Sequence, residues 1–273
     1  MCNQGRNIKI KVGNHSVSYT DEGSLNAMAV IFIHGFPLNK SMWNSQLETL
    51  STSYRVIAYD IRGHGDSDSG NEDFSIELFV KDLIGIMNAL SIKKAVLCGF
   101  SMGGYIALNA VENHPEYFNA LLLCDTHCIA DNLEAREKRM KSIGNIRENG
   151  VEKYADESLI NLITPKTFDK NKKLVAQLKE MMINTSRQSL VKTLLALSKR
   201  KETCSKLPGI NIPVQILVGE HDMITPPEAA QYLHNKIKGA QLSTIKHAAH
   251  ISNMENPEQF NELLKAFVDS VNQ

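Results

Sequence analysis

Short apolar runs recur along the chain, each followed by a loop rich in glycine, proline or charged residues. Such runs predict strands buried on both faces, and the longer amphipathic segments between them predict helices. The runs lie at residues 8–12, 17–19, 27–33, 55–59, 95–98, 120–124, 214–218 and 241–245. The first two predict an antiparallel hairpin, and the rest alternate with helical patterns such as residues 75–90. We therefore expect an α/β protein whose mostly parallel central sheet is covered by helices on both faces.

The alternation stops between residues 127 and 207, where amphipathic segments follow one another without a predicted strand. These segments cover residues 131–146, 149–162, 171–183 and 186–199. We expect a helical cap at 127–207, inserted into a core domain formed by 1–126 and 208–273. Apolar cap residues such as Met140 and Phe168 are candidates for lining a substrate pocket. Packing of cap helices against one another is the commoner role for such positions.

Composition excludes several classes of partner. The 273 residues are 42% hydrophobic and 22% charged, which is ordinary for a globular protein with a large core. The 30 basic and 30 acidic residues cancel, so nothing favours nucleic acid or an anionic membrane. No apolar run reaches the roughly 18 residues of a membrane span, and the first residues lack a secretory signal pattern. We expect a cytoplasmic protein.

The cysteines are odd in number and show no metal-ligand spacing. They are Cys2, Cys98, Cys124, Cys128 and Cys204. We predict reduced, mostly buried thiols and no metal site. The glycines of residues 60–67 lack the spacing of a phosphate-binding loop, which favours a hydrogen-bonded structural turn and no organic cofactor.

The segment at residues 93–111 contains the pattern G-x-S-x-G between a predicted strand and a predicted helix. A serine on such a strand-to-helix turn needs small neighbours, which Gly99 and Gly103 supply. Ser101 is therefore the candidate nucleophile. A glycine-rich turn carrying a surface serine is the alternative, and a base, an acid and an oxyanion hole elsewhere in the chain would decide between the two.

Asp222 is the candidate acid, because it lies in a loop just after a predicted strand and precedes the stiff turn at residues 224–227. Asp125 also follows a strand, but it opens the predicted cap and is expected to anchor that junction. Glu220 and His221 are competitors that lie closer to the strand, where we expect them to support the loop.

The base must come from the loop after the last predicted strand, which holds His247 and His250. His250 is favoured, because it lies further into the loop beside small alanines. We expect the remaining histidines to be surface or structural residues; they include His15, His64, His114, His127 and His234.

The HGFP loop after the strand at residues 27–33 is the candidate oxyanion hole. The backbone N–H groups of Phe36 and Met102 would be its donors. His34 is a candidate for substrate contact and equally for a structural role. Trp43 is a further candidate, although core packing suits a lone tryptophan in an amphipathic segment better.

The order serine, aspartate, histidine and the segments HGFP, DIRGHGDS, GFSMGG, GEHDMITPP and HAAHISNMENPEQF resemble the α/β-hydrolase family. Within that family the chain is similar to the small capped esterases and lactonases exemplified by 3-oxoadipate enol-lactonase. Haloalkane dehalogenases and epoxide hydrolases of the family use a carboxylate nucleophile, whereas position 101 is serine.

The resemblance implies a serine hydrolase that acts on a small carboxylic ester, lactone or thioester with Ser101, His250 and Asp222. It implies neither a metal nor an organic cofactor. Two alternatives stay open: a small-molecule signal receptor on the same fold, and a carbon–carbon bond hydrolase or perhydrolase. The sequence does not indicate the acyl group or the oligomeric state.

Overall fold

All the predicted strands join one sheet in the computed structural model, which describes residues 4–272. The sheet has eight strands in the order β1-β2-β4-β3-β5-β6-β7-β8. The strands are β1 (Gly5–Val12), β2 (His15–Glu22), β3 (Ala29–Ile33), β4 (Arg55–Tyr59), β5 (Ala95–Phe100), β6 (Phe118–Cys124), β7 (Val214–Gly219) and β8 (Gln241–Ile245). Strand β2 pairs antiparallel with β1 and β4, and every other pairing is parallel. The predicted fold class is confirmed.

Helices cover both faces of this sheet because side chains alternate between the faces along each strand. On β3, Ile31 and Ile33 belong to one apolar core, and Val30 and Phe32 belong to the other. Helices α2, α3 and α8 pack on the first face, and α1 and α10 pack on the second. Their bounds are α1 (Asn44–Leu50), α2 (Ile76–Ala89), α3 (Met102–Asn113), α8 (Pro227–Lys236) and α10 (Pro257–Val271), with the short α9 (Ser252–Glu255) before the last.

Between β6 and β7 the chain forms helices only, as the pattern predicts. They are α4 (Leu133–Leu162), α5 (Pro165–Lys170), α6 (Lys172–Ile183) and α7 (Arg187–Lys199). Helix α4 breaks at Gly150, whose φ of 87° is outside the helical region and favours glycine. The two predicted segments at 131–146 and 149–162 correspond to the two halves of α4. We call residues 133–199 the helical insertion.

The prediction of reduced thiols is wrong for two cysteines. Cys128 and Cys204 form a disulfide across 76 residues of sequence. The chain leaves the sheet at β6 and returns at the neighbouring β7, which brings the segments on either side of the helical insertion together, with the Cα atoms of Cys128 and Cys204 4.9 Å apart. Cys98 and Cys124 are free and buried, as expected, and Cys2 lies outside the described residues. No helix within residues 4–272 is long and apolar enough to cross a membrane, and cytoplasmic location stays a prediction.

The turn after β4 is the hydrogen-bonded structure that its glycine spacing favours. The buried Asp60 carboxylate accepts hydrogen bonds from the backbone N–H of Lys40 at 2.8 Å and from that of Asp66 at 3.0 Å. Arg62 donates two hydrogen bonds to Asp82 on α2, at 2.7 and 2.8 Å. These contacts fasten the turn to its surroundings, so its charged groups are already paired within the protein.

Candidate active site

The three candidate catalytic residues come from three different strands of the sheet. Ser101 directly follows β5, Asp222 follows β7, and His250 follows β8. Because these strands are parallel, their carboxyl ends lie at the same edge, where ligand sites form in open α/β sheets. The three side chains are almost fully buried, with 8%, 1% and 2% exposure in the order given.

Ser101 lies on a strained turn between β5 and α3. Its φ of 51° and ψ of −112° are outside the regions that residues with a side chain usually adopt. A Cβ atom on Gly99 would lie 2.4 Å from the carbonyl oxygen of Gly103, and one on Gly103 would lie 2.3 Å from that of Ile33. Both distances are far inside van der Waals contact, so these two positions require glycine. The pattern G-x-S-x-G therefore records a steric requirement of the turn.

A continuous hydrogen-bonded chain joins the three side chains. Nδ1 of His250 lies 2.8 Å from Oδ2 of Asp222, and Nε2 of His250 lies 3.0 Å from Oγ of Ser101. An ionised carboxylate only accepts hydrogen bonds, so Nδ1 carries the hydrogen and Nε2 presents its lone pair to the serine hydroxyl. In this tautomer His250 is oriented to take a proton from Ser101.

Local donors hold Asp222 as a carboxylate. Its Oδ1 accepts hydrogen bonds from the backbone N–H of Ile224 at 2.8 Å and of Thr225 at 3.0 Å, and its Oδ2 accepts one from the Thr225 hydroxyl at 2.6 Å. Burial by itself would raise the pKa of Asp222, but His250 and these donors outweigh it and lower the pKa below its ordinary value. Asp222 is therefore charged at neutral pH.

The competing loop residues lie away from Ser101. The Glu220 carboxylate accepts hydrogen bonds from the backbone N–H of His247 at 3.0 Å and from Nζ of Lys246 at 3.1 Å. The side chains of His221 and His247 are exposed to solvent. These residues tie the loops after β7 and β8 together at the surface. Asp222 and His250 are thus the pair that the structure brings to Ser101.

A second buried carboxylate lies beside this pair. Asp125, at the end of β6, accepts a hydrogen bond from the backbone N–H of Gly219 at 2.8 Å, and its Oδ2 lies 2.5 Å from the hydroxyl oxygen of Ser252. One side-chain atom each of Asp125, Asp222 and His250 lie within 4.8 Å of one another. This spacing would suit a cation, but the oxygen and nitrogen atoms concerned already have hydrogen-bond partners within the protein.

Met102 directly follows Ser101, and the HGFP loop that carries Phe36 lies next to it; their role as an oxyanion hole stays a prediction. Met102 is the first residue of α3, where backbone N–H groups have no partner inside the helix. The HGFP loop is adjacent, since a Cβ atom on Gly35 would lie only 3.2 Å from Cβ of Ser101. Neither amide has a hydrogen-bond acceptor within residues 4–272. Both donors are therefore available to a group bound next to the serine.

The other candidates for substrate contact occupy different places. His34 is fully buried, donates from Nδ1 to the carbonyl oxygen of Gly35 and accepts at Nε2 from the N–H of Ile61, each at 2.9 Å. Burial lowers its pKa to about 4, so it is a neutral structural residue of the loop. Trp43 is fully buried in the core, with its ring edge against Phe100.

The two candidates on the helical insertion differ in solvent exposure. Met140, on α4, is 52% exposed. Phe168, on α5, is half-buried against the second core and lies under Nζ of Lys172 at 5.3 Å from the ring centroid. Neither makes a ring contact or a hydrogen bond with Ser101 or His250 among the described residues. Their role in substrate contact stays a prediction.

The helical insertion packs against the loops that carry the site. The ring of Tyr154, on α4, lies 6.4 Å from the ring of Phe36. At the end of α4 the carbonyl oxygen of Leu162 accepts a hydrogen bond from the N–H of Ile251, next to His250, at 3.1 Å. The insertion therefore contacts both the HGFP loop and the histidine loop.

Sequence reasoning missed two residues that support the site. Thr225 donates hydrogen bonds to Asp222 from both its backbone N–H and its hydroxyl. An aspartate three residues before a threonine in a turn is a local pattern that indicates such a contact. Ser252 contacts Asp125 across 127 residues of sequence. No local pattern indicates a contact at that separation.

The chain is similar to known esterases and lactonases over nearly its whole length. A 3-oxoadipate enol-lactonase from Acinetobacter baylyi is 28% identical over 257 residues, which cover 94% of this chain and 94% of that protein. A solved thermophilic esterase from Thermogutta terrifontis is 30% identical, with a TM-score of 0.92 over 97% of this chain and 99% of that one. The solved enol-lactonase from Burkholderia xenovorans has 26% identity and a TM-score of 0.90 over 96% of this chain and 100% of that one.

The family is also shown by the chain's own sequence. The pattern of the alpha/beta hydrolase fold matches residues 28–257, which include every strand from β3 to β8 and all three residues of the hydrogen-bonded chain. The relatives and the fold agree with that match. The chain belongs to the alpha/beta hydrolase fold family, and within it to the small esterase and lactonase type.

Proposed function

We propose that the protein is a serine hydrolase that cleaves a small carboxylic ester, lactone or thioester through an acyl-enzyme intermediate. The observation that carries this proposal is the hydrogen-bonded chain from Ser101 through His250 to Asp222, with distances of 3.0 and 2.8 Å. A serine hydroxyl is a weak nucleophile unless a base removes its proton during attack, and this chain places a base at the required distance.

In the first half of the reaction, Oγ of Ser101 attacks the substrate carbonyl carbon and its proton passes to Nε2 of His250. The resulting imidazolium is stabilised by the charged Asp222, which accepts from Nδ1. Collapse of the tetrahedral intermediate breaks the bond to the leaving group, which takes the proton from Nε2. The acyl group then remains on Ser101, and an alcohol or thiol has formed.

In the second half, water attacks the acyl carbon while Nε2 of His250 takes one of its protons. Collapse of this intermediate returns the proton to Oγ of Ser101 and releases a carboxylic acid. In both halves the negative oxygen accepts hydrogen bonds from the amides of Phe36 and Met102. The positive end of the α3 dipole lies at Met102 and adds to this stabilisation.

The relatives support a small substrate. The similar proteins from Acinetobacter baylyi and Burkholderia xenovorans are enol-lactonases, and the one from Thermogutta terrifontis is an esterase. Residues 127–207 act as a cap over the core formed by 1–126 and 208–273, and Tyr154 beside Phe36 supports this division. The cap surface would then select the acyl group, whereas the core would carry the chemistry.

Turnover of a panel of chromogenic short-chain esters, lactones and thioesters tests the proposal. Turnover by the wild type should fall on the order of 10⁶-fold in kcat in Ser101→Ala, the scale seen when a serine hydrolase loses its nucleophile. Ser41→Ala is a matched control, because the hydroxyl of that serine bonds only the Asn39 side chain among the described residues, in the short 3-10 helix before α1. Saturable binding of panel compounds without turnover in the wild type would contradict the proposal and favour a receptor.

A further inference from the structure

Asp125 is a buried acid that the proposed reaction does not use. It is fully buried at the carboxyl end of β6 and, like Ser101, has a positive φ, here 46°. Residues with a side chain adopt this conformation at a cost, and such strain is retained where the surrounding structure requires one placement. The carboxyl group of Asp125 contacts both the end of β7, which precedes Asp222, and the segment that follows His250.

The two hydrogen bonds of Asp125 join the loops that carry the proton relay. Gly219, which donates to its Oδ1, lies three residues before Asp222, and Ser252, whose hydroxyl bonds its Oδ2, lies two residues after His250. The carboxyl group thus spans the gap between the end of β7 and the start of α9. Whereas Glu220 links the loops after β7 and β8 at the surface, Asp125 links them in the protein interior.

The surroundings of Asp125 disfavour a second negative charge. No lysine or arginine within residues 4–272 forms an ion pair with it, and the charged groups that act on it are the acids Asp222 and Glu255. Two further titratable groups lie near it: the imidazole of His250, within 4.8 Å on the loop after β8, and the thiol of Cys124, the residue before it on β6. Two carboxyl groups this close repel each other when both are ionised, so one negative charge is favoured over two for Asp125 and Asp222 together. Asp222 has the imidazole and three donors, so it takes the charge.

We propose that Asp125 is a positioning residue that, as a neutral carboxylic acid, fixes the spacing between Asp222 and His250. The inference rests on the proposed function, because it assigns Asp125 to the relay of that reaction. Oδ1 accepts from Gly219 in either charge state, so the proton of the neutral acid lies on Oδ2. The Ser252 hydroxyl, which donates to Oδ2 of a charged carboxylate, accepts a hydrogen bond from this proton in the neutral state. Burial and the nearby Asp222 raise the pKa of Asp125 well above its ordinary value, which agrees with this state.

Two substitutions at Asp125 separate its hydrogen bonds from its charge. Asp125→Ala removes both bonds, and kcat should fall on the order of 10- to 100-fold with KM little changed, because small displacements of reacting groups cost that much. Asp125→Asn keeps an acceptor for Gly219 and a donor for Ser252, so it should recover most of that loss. Ser252→Ala, which removes one bond, should lie between wild type and Asp125→Ala.

The pH profile of kcat/KM separates the neutral acid from a charged one. A negative charge on Asp125 would favour protonation of the relay, so its replacement by Asn would move the acidic limb to lower pH. If Asp125 is neutral, the acidic limbs of wild type and Asp125→Asn coincide. A shift of this limb, or full kcat in both Asp125→Ala and Ser252→Ala, would overturn the proposal.

Stability provides a readout that does not depend on turnover. An acid whose pKa is raised on folding holds its proton in the native state, while the unfolded chain releases it above about pH 4. The wild type therefore loses stability relative to Asp125→Asn as pH rises from 4 towards 7, and urea midpoints should diverge in that direction. A constant difference between the two urea midpoints across this pH range, or a divergence in the opposite direction, would show a charged Asp125. A wild type without turnover would refute the proposed function, and this measurement would still decide the charge.

Discussion

The carboxyl edge of the sheet and the helical insertion are built in opposite ways. At the edge, charged and polar groups are buried and each has specific partners, as Asp222 has in His250 and Thr225. On the insertion, most of the buried side chains, such as Leu178 and Met182, are apolar, and ion pairs such as Lys138 with Glu134 are exposed.

The difference indicates which region determines which property. Hydrogen bonds depend steeply on distance and angle, so a substitution at the edge should change the rate of the chemical step. Apolar contact is non-directional, so a substitution on the insertion should change substrate binding or stability instead. The predictions that follow test this division, beginning with the largest expected effect.

Asp222→Asn should lower kcat on the order of 10⁴-fold with little change in KM, as loss of the orienting acid does in serine proteases. The amide can donate to Nδ1 of His250 and so favours the wrong tautomer. Steady-state kinetics on an ester that the wild type hydrolyses measures the effect. Glu220→Gln, in the same loop but at the surface, is the control and should stay near wild type. A larger loss in Asp125→Asn than in Asp222→Asn would assign the acid to Asp125.

Loss of the disulfide should lower the free energy of unfolding by about 4 kcal/mol, because the bond closes a loop of 76 residues in the unfolded chain. Cys204→Ser tests this by urea denaturation. Ser101, Asp222 and His250 lie outside the loop, so kcat should stay within about twofold of wild type. Dithiothreitol should destabilise the wild type and leave the variant unaffected. Equal stability of the two proteins would contradict the prediction.

Tyr154→Ala should raise KM about twofold to tenfold and leave kcat nearly unchanged, since an aromatic contact contributes roughly 0.5–1.5 kcal/mol. Its ring is the contact between α4 and Phe36. Lys153→Ala is a control at the neighbouring, exposed position on the same helix. A fall in kcat with unchanged KM would show that the insertion contributes to the chemical step and would break the division between the regions.

Chelation should have no effect on activity. The ligand atoms of Asp125, Asp222 and His250 are engaged in hydrogen bonds within the protein, and the proposed nucleophile is a serine activated by histidine. Activity measured after dialysis against EDTA should equal that of the untreated protein. Loss of activity that zinc or manganese restores would show that a metal takes part.

The residues that the sequence identifies best are those whose role leaves a local pattern. Ser101 needs glycines on both sides for steric reasons, and those glycines are visible in the sequence. Asp222 and His250 each follow an apolar run, so the sheet itself predicts where they lie. The break at Gly150 lies between two amphipathic segments, so it too follows from a local pattern in the sequence.

Contacts between distant segments left no such pattern. The pairing of Cys128 with Cys204 depends on how closely the two ends of the insertion approach, and cysteine spacing alone contains no information on that distance. The bond between Asp125 and Ser252 depends on the same kind of proximity. Trp43 lies in the core because its ring packs against Phe32 on β3 and Phe260 on α10, and the amphipathic segment around it is compatible with either a core or a site position.

The disulfide also changes how the chain responds to cutting. A protease that cleaves one peptide bond between Cys128 and Cys204 opens a covalent ring and does not separate the chain into two pieces. Ser101, on the amino-terminal side, and Asp222 and His250, on the carboxyl-terminal side, would remain parts of one molecule. A single nick in the helical insertion would therefore leave one band on a non-reducing gel and release two fragments only after reduction.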